Sequence, residues 1–445
     1  MSTNGFSDSS VFARRRAAFM KRLGGGVALL PTAPVRVRSN DTDYPFRADS
    51  DFYYLTGFAE PNAVAVLRPG KQKPFALFVL PRDPLQETWN GRRAGPEGVK
   101  RHYGADEAYS IERFDEELPR LLAGADRIFL APGKYPEFDA KVNAIVDGFR
   151  RRSRTGVRPP AMVADLRAVL HEMRLVKPTD DLKALRRAAL VSAAGHLAAM
   201  RACRPGMMEY EIEAVLDYVF KRNGARFAGY NHIVASGPNA TILHYHENNR
   251  RMQSGDLLLV DAGAEVELFS GDITRTYPVS GRFSPEQRQI YRLVLAAQKA
   301  VIRRIRPGLT YNRLQETAVR MLTRGLRDLG ILRGQVPSLI RQEKYKPFYM
   351  HGVSHWLGMD VHDVGSYRNG KRWRELEPGM VLTVEPGLYF SPGQPGVPRA
   401  YQGIGVRIED DVLVTRNGNE VLTAAVPKEL AEIEAVMAAE PQPVR

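Results

Sequence analysis

The sequence predicts an α+β protein with an N-terminal α/β domain over residues 1–172 and a C-terminal domain over residues 173–440. Three observations support this prediction. The length of 445 residues suggests two or three domains at roughly 150 residues each. Short apolar runs bounded by glycine and proline fill the first part, and helical spacing of apolar residues begins at Leu166. Several apolar runs of the second part end in an acidic residue, and these runs predict a mainly antiparallel sheet flanked by helices.

Composition excludes several classes of protein. Hydrophobic residues make up 44% and charged residues 26%, which excludes a collagen-like or wholly disordered chain. The single cysteine, Cys203, excludes an intramolecular disulfide and a metal site made only of cysteines. The net charge is +14, but no nucleic-acid-binding module accompanies it, so we expect no nucleic-acid partner. No apolar stretch approaches the roughly 20 residues of a membrane span, so we expect no membrane partner and a cytoplasmic location.

The first domain begins with a short amphipathic helix, a turn and a strand, which the segment FARRRAAFMKRLGGGVALL predicts. Three further runs are bounded by glycine or proline and therefore predict strands: AVAVLRPG, PFALFVLP and RIFLAPG. The basic segment at 147–160 ends in two prolines and predicts a solvated loop near the domain boundary.

The second domain begins with a short helix that Pro178 ends and a long helix that Thr179 caps. Another amphipathic helix closes at Gly224, and two more are expected around 285–305 and 310–330. The expected strands are LLLVDAG, ITRTYPV, MVLTVEPGLYF and GVRIEDDVLVT.

Four carboxylates occur in or beside these apolar, strand-like runs: Asp261, Asp272, Glu385 and Glu409. A buried carboxylate must be protonated, paired or bound to a cation, because its desolvation is costly. A hairpin could bring the first two side by side. Arg407 lies two residues before Glu409, so both should face the same side of a strand, where a plain ion pair is the alternative interpretation.

Histidines supply a second signal in the same half of the chain. They cluster in LHYHEN and in HGVSHWLGMDVHD, which contain His244, His246, His351, His355 and His362. The spacing in HGVSH superficially matches a helical zinc site, but the motif lacks its glutamate and contains Gly352. We therefore do not predict a zinc peptidase of that type.

Four carboxylates with one or two histidines could hold two divalent cations. Such an oxygen-rich set favours Mn²⁺, with Co²⁺ or Zn²⁺ as alternatives. Two cations about 3.5–4 Å apart can share a water, lower its pKa and polarise a carbonyl oxygen. The reaction class that needs this arrangement is hydrolysis.

The ordered acidic and histidine motifs resemble those of the pita-bread metallopeptidases, and within them the aminopeptidase P (Xaa-Pro aminopeptidase) family. The motifs are Asp261, Asp272 eleven residues later, His355 in SHWLG, Glu385 in TVEPG and Glu409 in RIED. Three other strings resemble this family: RSNDTDYPFRADSDFYYLTGF, HEMRLVKPTDDLKALRRAA and GYNHIVASGPNATILHYHEN. The resemblance spans essentially the whole chain and implies a pita-bread catalytic domain behind a creatinase/aminopeptidase P-type N-terminal domain.

The resemblance also implies roles for the residues. Asp261 would chelate one metal ion, and Asp272 and Glu409 would bridge both. His355 and Glu385 would complete the second ion's shell, and Glu385 would also carry the proton. The expected reaction is attack on the peptide carbonyl by a hydroxide that bridges the two ions.

Further residues are expected to act on the substrate, a peptide with proline at its second position. His244 and His362 would hydrogen-bond the peptide and stabilise the tetrahedral intermediate. The residues expected to bind or position the substrate are His351, Arg407, Tyr230 and Tyr389. The resemblance also implies a homo-oligomer, a dimer or tetramer, and the loop ETWNGRRAG with Trp89 resembles one that reaches a neighbouring active site.

Three alternatives remain open at this point. A prolidase, which cleaves Xaa-Pro dipeptides, would share the fold and all five metal ligands. A catalytically silent pita-bread protein could act as a binding module. A metal-free, creatinase-like hydrolase is disfavoured, because a site that does not bind metal has no need for the carboxylate cluster.

Overall fold

The computed structural model describes residues 9–439, and its chain divides into two compact units between Met173 and Arg174. The helices of the first unit are α1 (Ser9–Leu23), α2 (Ser50–Thr56), α3 (Pro84–Asn90), α4 (Gly95–Tyr103), α5 (Phe114–Leu122) and α6 (Pro136–Arg151). Its strands are β1 (Val27–Pro31), β2 (Val37–Ser39), β3 (Thr42–Asp43), β4 (Val64–Leu67), β5 (Phe75–Val79), β6 (Glu107–Ser110), β7 (Arg127–Leu130) and β8 (Met162–Asp165). Helix α7 (Arg167–Leu175) contains the boundary between the units.

The first unit is built on a six-stranded mixed sheet with the order β6-β5-β4-β1-β7-β8. Strand β1 pairs antiparallel with β4 and parallel with β7, so the sheet joins segments that are far apart in sequence. The three predicted strands are confirmed as β4, β5 and β7, and the predicted N-terminal helix as α1. Apolar residues of both sequence halves of this unit pack on the sheet as one core.

The predicted loop at 147–160 is wrong in its first five residues, because α6 continues to Arg151. Val142, Val146 and Phe149 are buried at helical spacing and hold this last turn against the core of the unit. The basic residues after Phe149 gave the segment its loop-like composition, although basic residues are also favourable at a helix C-terminus.

In the second unit the helices are α8 (Thr179–Ala202), α9 (Glu209–Arg222), α10 (Pro285–Ile302), α11 (Asn312–Asp328), α12 (Val336–Arg341) and α13 (Leu430–Ala438). The strands up to the middle of this unit are β9 (Phe227–Ala228), β10 (Ile233–Ser236), β11 (Leu257–Asp261), β12 (Ala264–Val266), β13 (Phe269–Ser270) and β14 (Thr274–Pro278). The remaining strands are β15 (Arg368–Asn369), β16 (Arg372–Trp373), β17 (Val381–Val384), β18 (Gly387–Phe390), β19 (Ile404–Arg407), β20 (Asp410–Thr415) and β21 (Gly418–Val421).

All described strand pairs of the second unit are antiparallel, which agrees with the predicted sheet. Strands β10-β11-β14 and β17-β20-β21 form two three-stranded sheets, and β18 pairs with β19. A large core of aliphatic and aromatic side chains lies between these strands and helices α8 to α11. Among the described residues, no helix combines the length and apolar character needed to cross a bilayer.

Two breaks lie opposite each other in the strands of this unit, one between β17 and β18 and the other between β19 and β20. Val384 of β17 pairs with Asp410 of β20, and Gly387 of β18 pairs with Arg407 of β19. The residues between these pairs, 385–386 on one side and 408–409 on the other, leave the ladder. A break of this kind can turn a side chain away from the alternation of a continuous strand.

Candidate active site

The four carboxylates singled out in the sequence all lie at strand ends. Asp261 is the last residue of β11, and Asp272 lies two residues before β14. Glu385 and Glu409 occupy the two facing interruptions. The chain between Asp261 and Asp272 forms a small hairpin of its own, β12 and β13, so the two residues meet across a longer excursion than a simple turn.

Main-chain hydrogen bonds tie the segments that carry these residues to one another. The Glu385 N–H donates to the Val353 carbonyl at 2.9 Å, and the Glu409 N–H donates to the Thr274 carbonyl at 3.0 Å. The Asp272 N–H donates to the Asp411 carboxylate at 3.1 Å. Each tie joins a carboxylate to a segment that carries another one or a histidine, so the backbone fixes their relative positions.

Three of the expected ligands converge most closely. One donor atom from each of Asp272, His355 and Glu409 lies within 4.8 Å of the other two. His355 Nε2 is 3.4 Å from Asp272 Oδ2 and 3.6 Å from Glu385 Oε1. The imidazole of His355 therefore lies between two of the carboxylates.

The position of His355 is fixed from its other side. Its Nδ1 lies 3.0 Å from the Trp356 carbonyl. Its main-chain N–H donates to the Thr383 hydroxyl of β17 at 3.1 Å, and its carbonyl accepts from the Thr383 N–H at 3.0 Å. These contacts leave Nε2 as the ring nitrogen that faces the carboxylates.

Two hydroxyl groups are shared between the carboxylates. The Tyr230 hydroxyl lies 2.6 Å from both Asp261 Oδ1 and Asp272 Oδ1. The Thr274 hydroxyl donates to Glu409 Oε2 at 2.6 Å and accepts from Arg407 Nε at 3.1 Å. Arg407 and Glu409 therefore share a partner, as expected for residues two apart on one face.

Arg407 is the one guanidinium that directly pairs with these carboxylates in the described chain. Its Nη2 donates to Asp261 Oδ2 at 2.7 Å, and its Nη1 donates to the Tyr389 hydroxyl at 3.1 Å. The same hydroxyl lies 2.8 Å from His351 Nε2. His351 Nδ1 is 2.7 Å from the Gly352 carbonyl and 3.6 Å from Glu385 Oε2, which closes a chain of contacts around the site.

The carboxylates differ in charge state because their surroundings differ. Burial raises the pKa of Asp261, but Arg407 and Tyr230 outweigh it, and the pKa lies below its usual range. Burial raises the pKa of Glu385 to about 7. Burial, together with the charges of Asp272, Glu385 and Asp261, holds the pKa of Glu409 well above its usual range. Negative charge is thus more concentrated than the protein's own cations can balance.

The histidines respond to the same surroundings in opposite directions. Burial lowers the pKa of His351 to about 4, and the nearby Arg407 contributes to this fall. Burial also opposes protonation of His355, but its contact with Asp272 outweighs this and raises its pKa to about 9. His351 is therefore a neutral hydrogen-bonding group, whereas His355 carries a positive charge beside the carboxylates when no metal is bound.

The donor set fits divalent cations. Carboxylate oxygens and one imidazole nitrogen suit Mn²⁺-type ions, and the crowded negative charge is what such ions neutralise. The residues that would hold them are Asp261, Asp272, His355, Glu385 and Glu409.

These residues open into a cleft of about 560 Å³. His244 and His362 line it beside the carboxylates, and the rings of His362 and His355 lie 4.2 Å apart. Burial lowers the pKa of His362, and the neighbouring His355 lowers it further. Apolar side chains complete the wall: Ile233, Leu243 and Val361.

The structure brings nearly all of the predicted site residues to this cleft, with one exception. Tyr389 is not among the lining residues; it is 1% exposed and lies behind His351 and Arg407. Its expected place in the substrate pocket is therefore corrected to a place behind the wall.

Sequence reasoning missed several polar residues of the site: Asn231 and Ser354, which line the cleft, and Thr274 and Asp411, which contact the expected ligands. Thr274 lies two residues after Asp272, so alternation along β14 was a signal that could have found it. Asp411 accepts the Asp272 N–H, yet DDV in the sequence does not reveal which aspartate faces the site.

Comparisons with known proteins agree with this geometry. Residues 183–416 match the model of metallopeptidase family M24, and residues 12–129 match the aminopeptidase P, N-terminal domain. The chain is 47% identical over 431 residues to the Xaa-Pro aminopeptidase of Escherichia coli, covering 96% of this chain and 97% of that protein. It is 37% identical to Xaa-Pro aminopeptidase 1 of Streptomyces coelicolor, covering 96% and 87%.

Solved structures extend the likeness to the fold. The aminopeptidase PepP of Pseudomonas aeruginosa superposes with a TM-score of 0.96 at 50% identity, covering 97% of this chain and 98% of that one. Proline aminopeptidase P II of Yersinia pestis gives a TM-score of 0.94 at 46% identity, covering 97% and 100%.

Proposed function

This chain belongs to metallopeptidase family M24, in its Xaa-Pro aminopeptidase branch, and we propose that it removes the first residue from peptides whose second residue is proline. The observation that carries the proposal is the convergence of four carboxylates and His355 on one cleft. The substrates would be peptides with a free N-terminus.

The proposal assigns two divalent cations, most favourably Mn²⁺, to Asp261, Asp272, His355, Glu385 and Glu409. When bound, they would activate water and polarise the peptide carbonyl. Glu385 directs one oxygen towards His355 and the other towards His351, each at 3.6 Å. This arrangement supports a carboxylate that binds a cation through one oxygen and transfers a proton through the other.

Two histidines of the cleft are proposed to bind the peptide. His244 and His362 both line it, and an imidazole N–H can donate a hydrogen bond to a carbonyl that gains negative charge. His351 and Arg407 support this wall, and both are fixed by the Tyr389 hydroxyl.

A further contact in the cleft orients the expected cation ligands. Tyr230 lies between Asp261 and Asp272, and its hydroxyl is within hydrogen-bond distance of both carboxylates. We assign Tyr230 to the positioning of these two ligands as well as to the lining of the cleft.

A dedicated enzyme is needed because an Xaa-Pro bond is a tertiary amide without an N–H group. A hydrogen-bond acceptor placed for a backbone N–H at that position would find no donor. The cleft must instead bind the proline ring through apolar contacts. The apolar side chains Ile233, Leu243 and Val361 beside the carboxylates suit that requirement.

The test is hydrolysis by metal-stripped protein with and without added Mn²⁺. The substrates are an Xaa-Pro-Yaa tripeptide, an Xaa-Pro dipeptide and a tripeptide without proline. We expect Mn²⁺-dependent release of the first residue from the proline tripeptide, with little cleavage of the other two. Preference for the dipeptide would indicate a prolidase, and no cleavage under either condition would contradict a peptidase function.

A matched control uses an ion pair that does not line the cleft. Arg186 pairs with Glu420 at 2.7 Å, and both side chains are more than one third exposed. Arg186→Met should leave Mn²⁺-dependent hydrolysis unchanged, since exposed pairs contribute little.

The proposal includes the domain assignment, with an N-terminal domain over 1–172 and a catalytic domain over 173–440. The ends of these ranges, residues 1–8 and 440, lie outside the described residues. The proposal also includes a cytoplasmic location.

A homo-oligomer, a dimer or tetramer, completes the proposal. Leu85 and Trp89, four residues apart on α3, are 76% and 84% exposed, which supports an association surface on this helix. Sedimentation of the metal-loaded protein measures the oligomeric state.

A further inference from the structure

The segment that supplies three histidines to the site has almost no regular secondary structure. Residues 351–367 form neither helix nor strand, and a single bridge joins Trp356 to Leu382. His351, His355 and His362 all belong to this segment. Main-chain hydrogen bonds join Val353, His355 and Leu357 to residues 381–385, but none joins the described residues 358–367 to β17, so His362 must be positioned by other contacts.

A buried ion triad lies directly beside His362. Asp363 accepts from Arg174 Nη2 at 2.7 Å and from Lys177 Nζ at 2.9 Å. The three side chains are only 1–2% exposed. Arg174 also donates to Asp360 Oδ2 at 2.8 Å, so it contacts the segment on both sides of His362.

The triad is itself anchored at both ends. The Lys177 N–H donates to the Gly379 carbonyl at 2.9 Å, just before β17. Gly358 packs against the Lys177–Asp363 pair so closely that an added Cβ would lie 2.1 Å from Asp363 Oδ2. The Gly358 carbonyl accepts the Ser270 N–H at 2.8 Å, two residues before Asp272.

Stability alone is a poor reason for such a triad. Desolvation of buried charges offsets much of their attraction, so apolar residues of similar volume would stabilise the fold as well. Charged hydrogen bonds between rigid partners do, however, fix direction and distance.

We propose that Arg174 and Lys177 are positioning residues that hold His362 at the cleft through Asp363. This inference rests on the proposed function, in which His362 hydrogen-bonds the peptide. Neither Arg174 nor Lys177 lines the cleft, so neither is expected to touch the substrate.

The test uses the full, metal-loaded chain with Asp363→Asn and Lys177→Met. We expect kcat for the proline tripeptide to fall about 10- to 100-fold, as for a misplaced catalytic group, with KM and metal content unchanged. Asp363→Asn in the His362→Ala background should cause less than about a twofold further loss, because the histidine through which Asp363 acts is already absent.

The control is Arg288→Met, which removes a partly buried ion pair with Glu434 elsewhere in the same unit. It should leave kcat unchanged at a temperature well below its unfolding. If Asp363→Asn fails to fold, Gly358→Ala displaces the Asp363 carboxylate while keeping all three charges, and the same fall in kcat is expected.

Two results would overturn the proposal: an unchanged kcat in folded, metal-loaded Asp363→Asn, or losses from Asp363→Asn and His362→Ala that multiply. An inactive wild-type chain would instead contradict the proposed function. In that event the imidazole ¹⁵N signals of His362, assigned with His362→Ala, still decide the matter. They should shift in Asp363→Asn, and identical signals would exclude positioning.

Discussion

Glu409 and Asp410 are neighbours in the chain, and both are almost completely buried, yet they lie in opposite surroundings. Asp410 accepts hydrogen bonds from Arg275, Lys428 and Gln298. Burial raises the pKa of Asp410, but Arg275 and Lys428 outweigh it and lower the pKa to about 2. Glu409 has the Thr274 hydroxyl and three nearby carboxylates, and its pKa lies well above its usual range.

The difference separates two uses of a buried carboxylate. On the core side, fixed cations of the chain balance Asp410, so it contributes to the fold. On the cleft side, the cations of the chain do not balance the cluster, so it is suited to ions from solution. Three variants and one pH series should tell the two sides apart.

The largest expected effect is on the cleft side. Asp272→Ala should lower Mn²⁺-dependent hydrolysis at least about 1,000-fold, because it removes a carboxylate that is expected to bind both proposed cations. Metal content, measured on the purified variant, should fall below two ions per chain. The far-ultraviolet circular dichroism should remain that of the wild type. A variant that stays active with two ions bound would remove Asp272 from the site.

The core side should respond in stability. Asp410→Asn leaves the buried Arg275 and the partly buried Lys428 without their carboxylate, which should cost about 3–5 kcal/mol of unfolding free energy. Urea denaturation of the metal-stripped protein measures this cost. A loss below about 1 kcal/mol would show that the core side is not balanced by this ion group.

His362→Ala tests a residue of the cleft wall that is not an expected metal ligand. We expect kcat to fall about 100- to 1,000-fold with metal content retained, as when a hydrogen-bond donor to a developing oxyanion is removed. Steady-state kinetics and metal analysis on one preparation measure both quantities. Unchanged kinetics would refute its proposed contact with the peptide.

The smallest expected effect is a pH dependence of stability without metal. The folded-state pKa of Glu385 is raised to about 7 and that of His355 to about 9. A group whose pKa is raised in the folded state stabilises the fold at pH values below its unfolded-state pKa. This contribution is lost as the pH rises through its folded-state pKa. Between pH 6.5 and 9 the unfolding free energy should therefore fall by about 1–3 kcal/mol, mainly through His355, because most of the Glu385 contribution is lost between pH 4.5 and 7.

Other perturbed groups do not reverse this fall. The pKa values of His196 and His351 are lowered to about 4, so their contributions change mainly below pH 6.5, the ordinary value for histidine. Asp410 changes its contribution only below its ordinary value of 3.8. The raised pKa values of Glu409 and Asp411 act in the same direction as that of Glu385. Saturating Mn²⁺ should reduce this fall in unfolding free energy. A fall of the same size with and without Mn²⁺ would contradict the distinction between the cleft side and the core side.

The sequence was sufficient to predict the residues around the cleft because strand-like apolar runs that end in carboxylates are unusual. It was insufficient for Tyr389, whose role was expected from the resemblance alone, because residue type does not reveal that this side chain lies behind His351 and Arg407. It also did not reveal the mixed sheet of the first unit, where β1 pairs with β7 about a hundred residues away. Pairing of that kind depends on tertiary contacts rather than on local pattern.

The main-chain ties of the site have a consequence for amide hydrogen exchange. The amides of Asp272, Glu385 and Glu409 donate to partners in distant segments, so their protons exchange with solvent only when those segments separate. Exchange at these three positions therefore reports the integrity of the ligand scaffold itself. If these amides stay protected after metal is removed, the backbone alone keeps the carboxylates in the positions in which they are expected to bind metal ions.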